Sequence, residues 1–223
     1  MTDIRSTKSL TLPEELVLIA LDDDSGSLLR LPPYALEVAV AAAIVMELTL
    51  EGRIDTDAER LFLLSPAPTG NALLDESLAA IAARTENQPT AEWLRVFAAP
   101  GPELCERVIQ GLVARGVLKS VEKRLLWVFK TRVYPPTSGI EEDEVKSRVI
   151  TLLNNDEIPG PRDALLIGLL RAAGLLEWLL SAPEYDRLRS RIDELANLEE
   201  TSRALSRTVS EMQLVLATAI MHP

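Results

Sequence analysis

The side chains that could carry covalent or metal chemistry are scarce in this sequence. It holds one cysteine, Cys105, and one histidine, His222, in 223 residues. A zinc site, a Cys–His pair or a Ser–His–Asp triad would each draw on one of these two, and His222 is the penultimate residue, where chains fray. The sequence contains no glycine-rich phosphate loop, no HExxH and no paired-cysteine spacing. Two acidic runs remain. Asp22–Asp24 could in principle meet a cation, but the residues that follow lack the carboxylate spacing of a calcium loop, and a solvated helix end accounts for the run. Glu141–Glu144 has the form of an acidic first helical turn. An enzyme is therefore not expected, nor any metal or cofactor.

Charge distribution points to a different chemistry. The whole chain carries a formal charge of −11, which argues against a general nucleic-acid binder. From Cys105 to Arg132 the balance reverses. Arg107, Arg115, Lys119, Lys123, Arg124, Lys130 and Arg132 face only Glu106 and Glu122, a surplus of five positive charges. Apolar side chains interleave with them: Leu125, Trp127 and Phe129 alternate with Leu126 and Val128. Such a mixture suits an anionic membrane surface, where each lysine or arginine contributes roughly 1 kcal/mol and a buried apolar side chain ~1.5–3 kcal/mol. The same residues also suit a hairpin that packs one face on the protein body and leaves its charges in water.

The elements that must position these residues are mainly helical. The sequence is 47% hydrophobic but only 4% aromatic, so aliphatic side chains must fill the core, which favours packed helices over a sandwich. Residues 1–11 are polar and read as a loose N-terminus, leaving 12–223 as a single domain. Pro13 with Glu14 and Glu15 opens a first helix that stops at Asp22–Ser27. A second helix runs from Pro32 to a stop at Gly52. Its Val38–Met46 run is far shorter than the ~20 residues a membrane-spanning helix needs, and it reads as buried core. Helices follow at Asn71–Thr85, at Thr90–Ala98 with Thr90 as cap, and at Pro102–Gly116. Four more are expected after Glu141. Among them Arg162–Ser181 is apolar nearly all round and is assigned to the centre of the bundle. A signal peptide is not expected, and the lone cysteine fits a reducing, cytoplasmic compartment.

After Gly116 the pattern changes to extended runs at Val117–Val121 and Leu125–Phe129, joined through Glu122, Lys123 and Arg124. This predicts a protruding β-hairpin with Lys123 and Arg124 at its turn and Leu125, Trp127 and Phe129 on one face. A shorter version follows Gly52, with Arg60 eight residues on, as Arg124 is eight residues after Gly116. The two units read either as an internal repeat or as convergence on common turn chemistry.

Several stretches together resemble the Golgi phosphoprotein 3 family. They are "LTLPEELVLIALDD", "MELTLEGRI", "SPAPTGNALLDESL", "LVARGVL" and "EKRLLWVF", in order across most of the chain. The resemblance implies a mostly helical domain with an apolar β-hairpin beside a phosphoinositide pocket. It also implies peripheral binding to phosphatidylinositol 4-phosphate and, in eukaryotic members, retention of membrane enzymes through their cytoplasmic tails. In members that bind the lipid, a tryptophan falls near Leu31 or Pro32 and arginines fall at Ala41, Pro102 and Cys105. This sequence keeps none of these and retains a basic residue at Arg107. The eukaryotic basic N-terminal arm shrinks to Arg5 and Lys8. The sequence thus resembles a divergent, bacterial member. The headgroup candidates are Arg30, Arg107, Arg115, Lys123 and Arg124, and the contact candidates are Leu125, Trp127 and Phe129. The expected partners are an anionic lipid, a membrane-enzyme tail or a second copy docking through the hairpin, with no nucleic acid. Two other functions fit parts of the pattern. A winged-helix regulator would explain a helix followed by a basic hairpin, but its wing should be polar where it meets phosphate. A helical scaffold that binds only protein would need no lipid.

Overall fold

The run Val38–Met46 becomes the centre of the fold. The structure is a computed structural model and describes residues 9–56, 60–84, 88–125 and 129–196. In chain order the elements are α1 (Leu12–Ile19), α2 (Ala35–Leu50), β1 (Ile54–Thr56), β2 (Leu61–Leu63), α3 (Ala72–Ala82), α4 (Thr90–Ala98) and α5 (Pro102–Ala114). Then follow β3 (Val121–Leu125), β4 (Phe129–Val133), α6 (Ile140–Asn154), α7 (Pro161–Ala173), α8 (Leu176–Leu179) and α9 (Ala182–Ala196). The fold is mainly α, with two small antiparallel hairpins, β1–β2 and β3–β4. Helix α2 is buried on all sides from Val38 to Leu48 and packs against α1, α3, α4, α5, α7 and β1. Its β-branched residues are modest helix formers, so this burial, not propensity, fixes the helix.

The apolar segment expected at the centre is α7, which packs against α1, α2 and α9. It is shorter than the apolar pattern. Gly174 adopts a left-handed backbone, and Leu175 N–H closes on Leu170 O at 2.9 Å, so the chain turns before α8 begins. Thr90 does not cap α4. Pro89 takes the cap position, and the Thr90 hydroxyl is buried with no hydrogen-bond partner among the described residues. A proline there lets its carbonyl accept Glu92 N–H at 3.0 Å and moves the threonine into the first turn.

Both hairpins leave a helix through the same closure. At the end of α2, Gly52 N–H bonds Thr49 O and Arg53 N–H bonds Leu48 O, each at 2.9 Å. At the end of α5, Gly116 N–H bonds Val113 O and Val117 N–H bonds Leu112 O, each at 3.0 Å. Both glycines have positive φ, which the αL closure requires. Beyond this the units diverge. Arg60 stands at the entrance of the returning strand β2, whereas Arg124 lies in the outgoing strand β3. The eight-residue spacing therefore does not align equivalent positions.

One contact locks the loop after α1 onto the second hairpin. Tyr134 N–H donates to Gly26 O at 2.7 Å, and a Cβ on Gly26 would stand 2.8 Å from Pro135 N. Gly26 also has φ +68°. Gly26→Ala adds a left-handed penalty and a backbone clash, and is expected to lower unfolding free energy by about 2–4 kcal/mol. Urea denaturation checks this; a loss below about 1 kcal/mol would mean the loop moves away freely.

Candidate membrane-docking surface

The β3–β4 hairpin is present, but its register differs from the expected one. Val121 pairs with Val133, Glu122 with Arg132, Lys123 with Thr131, Arg124 with Lys130 and Leu125 with Phe129. The strand connection is therefore 126–128, not 122–124, and Lys123 and Arg124 belong to β3 rather than to a turn. The cause lies at the hairpin's base. Val117 closes the α5 cap, Leu118 bridges Pro136, and Lys119 N–H bonds Pro135 O at 2.9 Å. Val117 and Leu118 are buried there, so the free strand starts only at Val121, and the return strand runs on to the buried Val133.

Cross-strand partners share a face of a two-stranded ribbon. The register thus sets positions 122, 124, 130 and 132 on one face and 121, 123, 125, 129, 131 and 133 on the other. The first face contains Arg124 directly opposite Lys130, beside the Glu122–Arg132 pair. Leu125 and Phe129 are paired neighbours, not alternating residues of one strand. Trp127 lies outside the described residues, as do the side chains of Lys123, Arg124, Leu125 and Phe129.

The other headgroup candidates are placed as follows. Arg107 and Arg115 both line a cavity of about 430 Å³ between the start of α1, α3 and α5. Each already holds a carboxylate: Arg107 pairs with Glu76, and Arg115 pairs with Glu14 at 2.6 Å. Arg30 lies on the exposed connection between α1 and α2, lines neither that cavity nor its neighbour, and has no ion pair among the described residues. Lys119 is exposed at the foot of β3.

The structure places the residues at which the resemblance implies arginines as follows. Ala41 is fully buried inside α2, Cys105 is buried in α5, and Pro102 is the exposed first residue of α5, after the cap Gly101. Burial, with the Glu37 carboxylate nearby as a second cause, pushes the Cys105 thiol up to about 12. The thiol is therefore protonated and not a nucleophile at neutral pH.

A buried ion network went unseen in the sequence. Glu14, Glu15 and Glu47 are only 3–5% exposed. Glu14 accepts Thr11 N–H at 2.7 Å and Arg115 at 2.6 Å. Glu15 accepts Arg148 at 2.6 Å, and Glu47 accepts Leu12 N–H at 2.6 Å and Arg162 at 3.0 Å. Arg162 also donates to Leu10 O at 2.6 Å, so the chain is held two residues before α1. Burial raises the Glu15 pKa, with Arg162 opposing it. The available signal was a pair of carboxylates, Glu14 and Glu15, inside a helix whose other residues are all apolar. This network is structural, and it consumes the cations of Arg115, Arg148 and Arg162. Among the described residues no cluster of His, Cys, Asp and Glu could hold a metal ion, and no helix is long and apolar enough to cross a membrane.

Residues 12–212 match the Golgi phosphoprotein 3 (GPP34) family. The chain is 28% identical over 84% of its length to "Vacuolar protein sorting-associated protein 74" of Eremothecium gossypii, covering 67% of that protein. It is 26% identical over 89% of its length to the protein of the same name from Schizosaccharomyces pombe, covering 64% of it. It therefore spans about two thirds of the length of these relatives. Nothing in these matches supports the expected bacterial origin. The chain belongs to the Golgi phosphoprotein 3 family, a family of non-enzymatic adaptors.

Proposed function

We propose that this protein is a peripheral adaptor that docks on anionic membrane surfaces through the β3–β4 hairpin. Family membership supports the adaptor role, and the family's link to phosphatidylinositol 4-phosphate at the Golgi gives the membrane class. The observation that carries the reading is the charge reversal. A chain of −11 gathers seven cations between Cys105 and Arg132; Arg107 and Arg115 are paired to Glu76 and Glu14, and the remaining Lys119, Lys123, Arg124, Lys130 and Arg132 still exceed Glu106 and Glu122 by three, with the hairpin register setting positions 124 and 130 opposite one another. Like charges directly opposed are unfavourable unless an anion lies against them.

Headgroup selectivity is weak in this reading. The family's arginine places hold Ala41, Pro102 and Cys105, so the charge of the bilayer governs binding rather than one phosphoinositide. Flotation with vesicles of neutral lipid, neutral lipid plus phosphatidylserine, and neutral lipid plus phosphatidylinositol 4-phosphate at matched charge tests both points. Binding is expected to require anionic lipid, to fall as salt rises, and to be similar for the two anionic mixtures. The Lys123→Glu/Arg124→Glu double variant should lose binding to both. Undiminished binding of that variant would remove the hairpin from the interface, and strong preference for the phosphoinositide would show a headgroup pocket elsewhere.

A further inference from the structure

Ser120 stands where the basic segment joins the body of the fold. The register of β3 and β4 continues to the base, where Lys119 N–H bonds Pro135 O at 2.9 Å and Leu118 bridges Pro136. Ser120 is therefore opposite Tyr134. By the alternation of an antiparallel ladder this is a non-hydrogen-bonded pair, so the backbone N–H and C=O of both residues point outward. Tyr134 N–H does so, bonding Gly26 O at 2.7 Å. On the other edge Ser120 is exposed, and neither its backbone nor its hydroxyl has a hydrogen-bond partner among the described residues. A free strand edge of this kind can pair with a cleft that binds extended chains.

Strand alternation also fixes the company Ser120 keeps. Positions 120, 122 and 124 share a ribbon face with 130, 132 and 134. From Cys105 to Arg132 the sequence has two hydroxyl side chains, Ser120 and Thr131, and Thr131 pairs with Lys123 on the other face. Ser120 is thus the one serine or threonine of this segment on the face that carries the opposed positions 124 and 130. That face holds Arg124, Lys130 and Arg132 against Glu122, a surplus of two positive charges. A phosphoryl group brings about −1.5 to −2 at neutral pH, enough to cancel the surplus.

We propose that Ser120 is a phosphorylation site whose occupancy releases the protein from the membrane. The release rests on the docking reading; the modification itself does not. The acceptor lies among Lys119, Lys123 and Arg124, so the enzyme is a serine kinase that reads basic sequence. In the transfer, Ser120 Oγ forms a bond to the γ-phosphorus of ATP, the bond from that phosphorus to the ADP oxygen breaks, and the hydroxyl proton passes to the kinase's carboxylate base. The product has a cation beside it. Arg132 is diagonal to Ser120 across the ribbon, within reach of a long side chain. It stands 3.7 Å from Glu106 and is 55% exposed, a weak pair. A phosphate is the stronger acceptor. Losing Arg132 does not strand Glu106, which also accepts the Tyr134 hydroxyl at 2.6 Å and the Gln110 amide at 2.7 Å. Phosphorylation thus adds negative charge to the docking face and occupies one of its cations.

The test has two arms, both on the full chain. In the first, without lipid, the chain is incubated with ATP and the catalytic fragment of a basophilic serine kinase, and the modified residues are mapped by mass spectrometry. Ser120 is expected to be the main acceptor. In the second, Ser120→phosphoserine is installed by codon reassignment and floated with phosphatidylserine vesicles beside the unmodified chain. Ser65→phosphoserine, on the loop that follows β2, is the control of equal charge outside the docking face. Ser120→phosphoserine should bind roughly 30-fold more weakly than the unmodified chain, the effect of about two charges near a lipid surface, and Ser65→phosphoserine less than about threefold more weakly. Because Ser120 is exposed, its modified chain should melt as the unmodified one does, so the lost binding is not lost fold. No phosphate at Ser120 in the lipid-free arm would overturn the site. Equal losses for the two phosphoserine chains would reduce the effect to net charge and overturn the release. An unmodified chain that fails to float is a failure of the docking reading, and the lipid-free arm then still decides whether Ser120 is the acceptor.

Discussion

Replacing Arg162 by methionine is expected to lower unfolding free energy by about 3–5 kcal/mol, because it strips the cation from two buried carboxylates. Glu15 retains Arg148 at 2.6 Å. Glu47 is the more exposed to loss. Its remaining described partner is Leu12 N–H, and it sits in the buried stretch Val38–Leu48 of α2. Leu10 O also loses its donor. The double variant Glu47→Gln/Arg162→Met removes the stranded charge and should recover a large part of the loss, a coupling that a double-mutant cycle measures. A loss below about 1 kcal/mol for Arg162→Met would mean that water reaches the network.

The sign of the pH dependence follows from Glu15. Burial already raises its folded pKa, and the charge of Arg162, with Arg148, holds it down. Removing Arg162 raises it further. A carboxyl whose folded pKa exceeds its unfolded one binds more protons in the folded state, so its contribution to stability falls as pH rises through that window. The deficit of Arg162→Met should therefore be largest at neutral pH and shrink on acidification toward pH 5. A deficit that grows on acidification would contradict this account.

How much of this was legible in the sequence depends on which interaction fixed each element. Pro13, Gly52, Gly116 and Asn71 announce helix starts and stops through local backbone chemistry, and the helices end close to where these residues imply. Alternation and aromatic density after Gly116 announced a hairpin. Its register was not legible, because it is set by Val117, Leu118 and Val133 burying at the base and by Tyr134 pairing with Gly26 across more than a hundred residues, tertiary contacts that no local pattern shows. Nor were the partners of Arg115, Arg148 and Arg162. Their partners among Glu14, Glu15 and Glu47 are 101 to 147 residues away in the chain, so no local spacing could reveal them. Arg107 and Arg115 had the residue type of headgroup ligands, yet type alone does not show that a cation is already spent.

Reversing the opposed pair, Arg124→Glu/Lys130→Glu, should weaken binding to anionic vesicles by about 1,000-fold. Four units of charge change at roughly 1 kcal/mol each near the lipid surface. The comparison that isolates the ribbon face is Lys119→Glu/Lys123→Glu, which changes the net charge equally. Lys123 pairs with Thr131 on the other face, and Lys119 precedes β3. If the 122–124–130–132 face meets the bilayer, the first double variant loses far more binding than the second. Stability gives a second discriminant. The register puts positions 124 and 130 opposite one another, and like charges at opposed positions are expected to cost up to about 1 kcal/mol. The double reversal leaves like charges in place, so its melting temperature should hardly move while binding collapses. The single Arg124→Glu variant makes the pair complementary, so it should stabilise the hairpin and still weaken vesicle binding. Opposite signs for stability and binding in one substitution mean that the repulsion is retained for the surface it faces. Equal losses for the two double variants would instead make the attraction a bulk-charge effect, and the face assignment would fall.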